Sequence, residues 1–176
     1  MALALPFYPA RLFVGIISSK KELEDSLKKQ LNNLYGPFVS LPEPLEFNYT
    51  DYYEKEMGKP LYRYFLIFEK LIEPTLLSEI KHTTNRLEES YAFEGKRSYN
   101  LDPGLITTAN IILATTKNRS HRIPLKDGIY GELTLLYTKG EYHDFDWTYP
   151  DYKSSEIKSL FSRLRSEYLE DLKQNS

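Results

Sequence analysis

The chain has 176 residues, 41% of them hydrophobic and 27% charged, with a formal net charge of −2 at pH 7. That length suits one domain burying roughly 70% of the surface its unfolded chain exposes, and the composition excludes a disordered chain. The small charge gives no global pull toward nucleic acid or anionic lipid, and the absence of cysteine removes disulfides, thiolate zinc sites, iron–sulfur clusters and a thiol nucleophile.

No apolar run approaches the ~20 residues that span a bilayer. The opening MALALPFYPARLF lacks the basic start of a secretory signal, so a cytoplasmic location is the expectation. LFVGIIS (12–18) then reads as a buried strand. A helix is expected directly after it, opened by a capping box of Ser19 and Glu22, with Leu23, Leu27, Leu31 and Leu34 as its apolar stripe. Gly36-Pro37 ends that helix. The segment LPEPLEFNYTDYYEKEMGKP reads as an extended, proline-punctuated excursion with a short strand near Leu45–Tyr49.

LYRYFLIFEKL (61–71) is a second strand, and Pro74 opens a helix in which Leu77, Ile80, Thr84, Leu87 and Tyr91 recur at steps of three and four. ANIILATT (109–116) suits strand or helix by propensity. Asp102-Pro103-Gly104 upstream looks like helix-start punctuation, which tips the reading to helix. HRIPL and IYGELTLLY flank Lys126-Asp127-Gly128, read as a three-residue hairpin loop. The register puts Ile123, Leu125, Ile129, Leu133 and Leu135 on one face and sets Arg122 across from Glu132 on the other. Lys139-Gly140 turns a third strand, EYHDF, onto the second. A last helix is capped by Ser154 or Ser155, with Ile157, Leu160, Phe161, Leu164 and Tyr168 as its stripe.

The expected architecture is one α+β domain over residues 1–176, an antiparallel sheet covered by amphipathic helices. Its strand–helix–strand–strand–helix front suggests a ferredoxin-like core, followed by a C-terminal β-meander and helix.

No Walker A, GxGxxG, GxSxG or HExxH motif occurs, and three widely spaced histidines (82, 121 and 143) form no metal-ligand pattern. No metal or cofactor is implied. Charge is instead segregated. From Lys96 to Arg122 five Lys/Arg accompany one acid, whereas Glu43–Glu56 and Glu141–Glu156 each hold five acids and one lysine. Either these segments pair with one another, or the basic one lines a groove for phosphate or carboxylate.

His121 and Arg122 carry a similar choice. His121 suits a hydrogen-bonded core residue or a proton carrier, and Arg122 a cross-strand partner of Glu132 or an anion binder. Asn100 and Asp102 suit a cap or a turn presenting Asp102 to the cations. WTYPDY (147–152) suits a lid over the sheet. Its neighbours Asp144, Asp146 and Asp151 argue against nucleic-acid stacking there. Fifteen tyrosines suit sheet packing and ligand grooves alike.

The stretches "RLFVGIISS", "FNYTDYYEKEMG", "LIEP", "KRSYNLDPG", "ATTKNRSHRI", "DGIYGELTLLY" and "WTYPDY" together resemble the prokaryotic domain-of-unknown-function family numbered 4416 over nearly the whole chain. The resemblance implies no mechanism. It places "NLDPG", "TKN-x-SHR" and "WTYPDY" in a shared pattern, which favours one shared site or one shared structural seam. Some members are labelled GTP-binding proteins; this chain lacks Walker A, and "ATTKN" is not an NKxD guanine-reading motif, so the label does not carry over.

Three functional expectations follow. The first is a small anionic ligand, phosphate- or nucleotide-like, held by Arg97, Lys117, His121 and Arg122, oriented by Asn100 and Asp102 and covered by Trp147 or Tyr149. The second is an enzyme in which His121 carries a proton, Asp102 or Glu132 orients it, and Arg122 stabilises negative charge. The third is a protein-interaction surface around Asp51, Tyr52 and Tyr53. Neither a membrane nor nucleic acid is an expected partner, and oligomeric state leaves no mark on the sequence.

Overall fold

The computed structural model describes residues 3–41 and 43–174. Pro42 of the proline-punctuated excursion, with Met1, Ala2, Asn175 and Ser176 at the ends, lies outside the described residues. Among the described residues, nine strands form one antiparallel sheet: β1 (Ala10–Ser18), β2 (Phe38–Ser40), β3 (Leu45–Glu46), β4 (Tyr62–Ile72), β5 (Asn100–Ile106), β6 (Asn110–Thr115), β7 (Arg122–Lys126), β8 (Ile129–Thr138) and β9 (Glu141–Asp144). Their order is β2-β4-β1-β5-β6-β8-β7, with β3 also on β4 and β9 also on β8. The helices are α1 (Asp25–Tyr35), α2 (Glu54–Met57), α3 (Leu77–Ser90) and α4 (Ser155–Gln174).

The front of the chain, β1-α1-β2-β4-α3-β5, lays its strands in the order β5-β1-β4-β2, which is the split β-α-β arrangement of a ferredoxin-like sheet. The β8–β9 hairpin, the β7 edge and α4 complete the molecule, as the meander and terminal helix were expected to.

β1 is buried along its entire length because both sheet faces are covered. Leu12, Val14 and Ile16 meet Leu27 and Leu31 of α1 and Leu77, Ile80 and Leu87 of α3. Phe13, on the opposite face, meets Phe161 of α4, with Ile157, Leu164 and Tyr168 in the same cluster. A strand covered on both faces reads as an unbroken apolar run, which is why LFVGIIS was legible.

Several local expectations need correction. ANIILATT is not a helix but β6, whose alternate residues Ile111 and Leu113 join the α4 face while Ile112 and Ala114 turn to the other. The tight turn before it is made by Thr107, whose Oγ1 accepts the Asn110 and Ala109 N–H groups. Asp102-Pro103-Gly104 is not a turn either; it lies inside β5, near the middle of the sheet. α1 begins at Asp25, so Ser19 and Glu22 make no capping box, and Leu34 is exposed. β3 covers only Leu45–Glu46 of the expected 45–49 strand.

The β7–β8 loop has two residues, because Lys126 already pairs with Ile129; Asp127 and Gly128 both adopt positive φ (52° and 77°), as a primed hairpin turn requires. Arg122 lies opposite Glu132 as the register demanded. The single apolar face expected of this hairpin does not form: Ile123 and Leu125 on the edge strand β7 are exposed, Ile129 joins the cluster under α1 and α3, and Leu135, beyond an irregularity in the β6–β8 register, joins the α4 cluster.

Candidate functional site

β5 and β6 pair only where Gly104–Ile106 face Ile111–Leu113. Beyond Gly104 they part: Asn100–Pro103 continue on β1, and Ala114 and Thr115 continue on β8. The cause is in the backbone. Leu101 turns its N–H and C=O away from β1, where Glu88 Oε1 accepts the N–H at 2.6 Å and Lys81 Nζ donates to the carbonyl at 2.9 Å. Two side chains of α3 thus replace the missing strand. Pro103, two residues on, faces the same way and has no N–H to give a neighbour. The ladder stops where its next donor would stand. Gly104 is needed for a different reason: a Cβ there would sit 2.5 Å from Phe13 Cζ and 2.8 Å from the Ile112 carbonyl oxygen.

The fork encloses a cavity of about 310 Å³. α3 supplies Lys81, Asn85, Glu88 and Glu89; β5 supplies Asn100 and Asp102; β6 and the turn after it supply Leu113 to Lys117. Tyr52, Tyr53, Arg63, Arg97, Glu132, Tyr149 and Tyr152 complete the lining. Of the residues expected from sequence, Arg97, Asn100, Asp102, Lys117, Glu132 and Tyr149 therefore converge on one hollow.

His121, Arg122 and Trp147 stand behind it. Arg122 donates from Nε to Glu132 Oε2 (2.8 Å), from Nη1 to the Lys117 carbonyl (2.8 Å) and from Nη2 to the Tyr149 hydroxyl (3.0 Å). His121 Nε2 lies 3.1 Å from Glu132 Oε2, and its ring stacks on Trp147 at 5.0 Å. Asp102 is not His121's partner. Its Oδ2 accepts from Asn100 Nδ2 at 2.6 Å, and its Oδ1 is 3.5 Å from Lys81 Nζ.

The expected cations are not equally free. Arg97 grips Glu56 of α2 through Nε and Nη2 (2.8 and 2.7 Å) and reaches Glu88 and Asn100 with Nη1. This pair joins the basic segment to the acidic 43–56 excursion and holds the Glu56 carboxyl below its ordinary range. Arg122 is matched by Glu132. Lys117 alone of the three has no carboxylate partner among the described residues; its ammonium sits 4.7 Å from the Tyr52 ring centroid.

The deepest polar groups were not anticipated. Arg63, near the start of β4, has a side chain only 5% exposed and donates to the 2% exposed Asp151 through Nε (3.0 Å) and Nη2 (2.6 Å). Burial opposes its charge, but the Asp151 and Asp102 carboxylates outweigh that and hold the guanidinium protonated. Its Nη1 has no hydrogen-bond partner among the described residues, nor has the Tyr152 hydroxyl. Both flank Gly15, where a Cβ would lie 3.1 Å from Arg63 Nη1 and 3.3 Å from the Tyr152 oxygen. Burial pushes the Tyr53, Tyr149 and Tyr152 hydroxyls up from their ordinary pKa, with the Asp102 charge adding to the effect on each. They stay protonated donors well above neutral pH.

Formal charges in the lining cancel: Arg63, Lys81, Arg97 and Lys117 against Glu88, Glu89, Asp102 and Glu132. Hydrogen-bonding capacity does not cancel. Glu88 is engaged by the Leu101 N–H and Arg97, Asp102 by Asn100, and Glu132 by Arg122 and His121. The groups left over include two buried donors, Arg63 Nη1 and the Tyr152 hydroxyl, beside the Tyr53 hydroxyl, Lys117 Nζ and the Glu89 carboxylate. A charged residue inside an otherwise apolar buried strand, as in YRYFLIF, was the sequence signal for Arg63. Nothing in WTYPDY singled out Tyr152 from its neighbours.

No group of three or more His, Asp or Glu among the described residues could hold a metal ion, and no helix is long and apolar enough to cross a membrane. Residues 8–168 match the family model described as Domain of unknown function (DUF4416), and the chain belongs to that family. No curated protein and no solved structure matches it.

Proposed function

We propose that this member of the family binds a small ligand in the β5–β6 fork, and that the ligand presents an anionic oxygen group to Arg63 Nη1 and the Tyr152 hydroxyl. Tyr53 and Lys117 complete the donor set. The observation that carries this reading is the pair of buried, unpartnered donors at the cavity floor. Buried polar groups are hydrogen-bonded in the great majority of proteins, and an orphan pair beside a cavity is explained by what enters it. Arg97 and Arg122 act differently: with Glu56 and Glu132 they hold the cavity walls in place.

Calorimetric titration with a panel of carboxylic acids and phosphate esters tests the reading. Tyr152→Phe removes one donor to a charged group, worth about 1.5 kcal/mol or more, so the affinity of any binder should fall roughly tenfold. Equal affinity for variant and wild type would remove Tyr152 from the site.

The contact between His121 and Glu132 supports a second reading, in which Glu132 takes a proton from the bound molecule and His121 passes it to solvent. Deuterium incorporation into a bound ligand in heavy water, lost in Glu132→Gln and slowed in His121→Asn, is its signature. A binder that never exchanges its C–H protons speaks for binding alone.

A further inference from the structure

We infer that the ligand is zwitterionic, of the α-amino-acid class, its carboxylate meeting Arg63 Nη1 and the Tyr152 hydroxyl and its ammonium meeting Asp102. The inference rests on the reading above and sharpens it from three sides.

Charge comes first. The lining is formally neutral, and the charged groups just behind it, Arg122, Glu56 and Asp151, add no positive excess. A phosphate dianion would bring two charges into a recess where, among the described residues, Lys117 is the one lining cation without a counter-ion. Interactions there are poorly screened, so the imbalance is costly. A ligand of zero net charge leaves the balance undisturbed.

Geometry comes second. Arg63 Nη1 and Asp102 Oδ2 are 3.9 Å apart, an opposite pair too long for a direct hydrogen bond. An α-amino acid carries its two charges on one carbon and matches poles at such close spacing. Asp102 is 27% exposed, its Oδ1 has only the long 3.5 Å contact with Lys81, and it retains room to accept an ammonium proton.

The third side is the cradle. Phosphate sites draw on backbone N–H groups presented by glycine-rich turns or helix N-termini. No glycine lines this cavity, and its donors are side chains. Leu113, Ala114 and the tyrosine rings offer the ligand's side chain mostly apolar contact.

Matched triples separate this inference from its parent. Wild-type protein is titrated, by thermal shift and then calorimetry, with each proteinogenic L-amino acid, its deaminated acid and its decarboxylated amine; phenylalanine, 3-phenylpropionate and phenethylamine make one triple. At least one amino acid should bind about tenfold or more tightly than both its counterparts. Asp102→Asn should weaken the amino acid by a similar factor while the deaminated acid, relieved of a neighbouring like charge, binds no more weakly than to wild type; Tyr152→Phe should weaken both. An acid binding as well as its amino acid overturns the zwitterion and leaves the anion reading standing. No stabilisation by any amino acid, where the carboxylate and phosphate panel yields a binder, overturns it equally. If Asp102→Asn fails to fold, the wild-type triples alone decide.

Discussion

Replacing Tyr152 by Phe should make the protein more stable and a poorer binder at once. The Tyr152 ring is buried, meeting Phe65 edge-on at 5.9 Å and stacking on Phe161 at 5.8 Å. Those contacts survive the change, and deleting the oxygen leaves no large void. What is removed is a buried hydroxyl with no hydrogen-bond partner. A group in that state costs about 1–3 kcal/mol of desolvation. Taking the lower end, relief of about 1 kcal/mol raises the melting temperature of a chain this size by roughly 2–4 °C. Urea and thermal unfolding, followed by circular dichroism, measure the shift. A loss of about 1 kcal/mol or more would mean that the hydroxyl is hydrogen-bonded in the resting protein. Tyr152 would then not be a donor held ready for a ligand. A gain in stability coupled to a loss of affinity is the trade expected of a binding site held under strain.

Asp151→Ala should be far harsher. It leaves the Arg63 charge buried, with Asp102 at 3.9 Å as its remaining carboxylate, and should cost about 3–5 kcal/mol by denaturant titration. Gly104→Ala forces a Cβ against Phe13 and the Ile112 carbonyl; a loss above the ~1–3 kcal/mol usual for overpacking is expected, read as a lower urea midpoint. Glu56→Gln should change the acid limb of the stability curve. Arg97 holds the Glu56 carboxyl below its ordinary value of 4.5, so its contribution is present above that value and lost as pH falls through the lower folded one. Wild type should therefore exceed the variant by about 1 kcal/mol at neutral pH, and the gap should close in acid. A gap that stays constant with pH would detach the effect from the ion pair.

What could be read from the sequence was whatever depends on period and local chemistry. β1, β4, α3 and α4 follow from apolar spacing, and the Arg122–Glu132 pairing follows from the hairpin register. Asp102-Pro103-Gly104 misled because Pro and Gly usually mark turns. Here Pro103 ends a strand ladder by withholding a donor, and Gly104 makes room for Phe13. That misreading turned β6 into a helix, since ANIILATT has no period strong enough to resist its apparent punctuation. Of the basic segment, Arg97 and Lys117 line one cavity, whereas Arg122 stands behind it on Glu132. The Arg97 counter-ion could not be seen, because Glu56 arrives from a distant segment. Arg63 and Tyr152 were the least legible. Their place at the floor depends on β4, the turn before α4 and the glycine at position 15 meeting in space, which no local pattern encodes.

The most direct test is a crystal structure of the protein with the tightest binder from the titrations. The account predicts ligand density within hydrogen-bond distance of both Arg63 Nη1 and the Tyr152 hydroxyl, between the parted ends of β5 and β6. Ligand density elsewhere, with the fork floor holding only water, would contradict it.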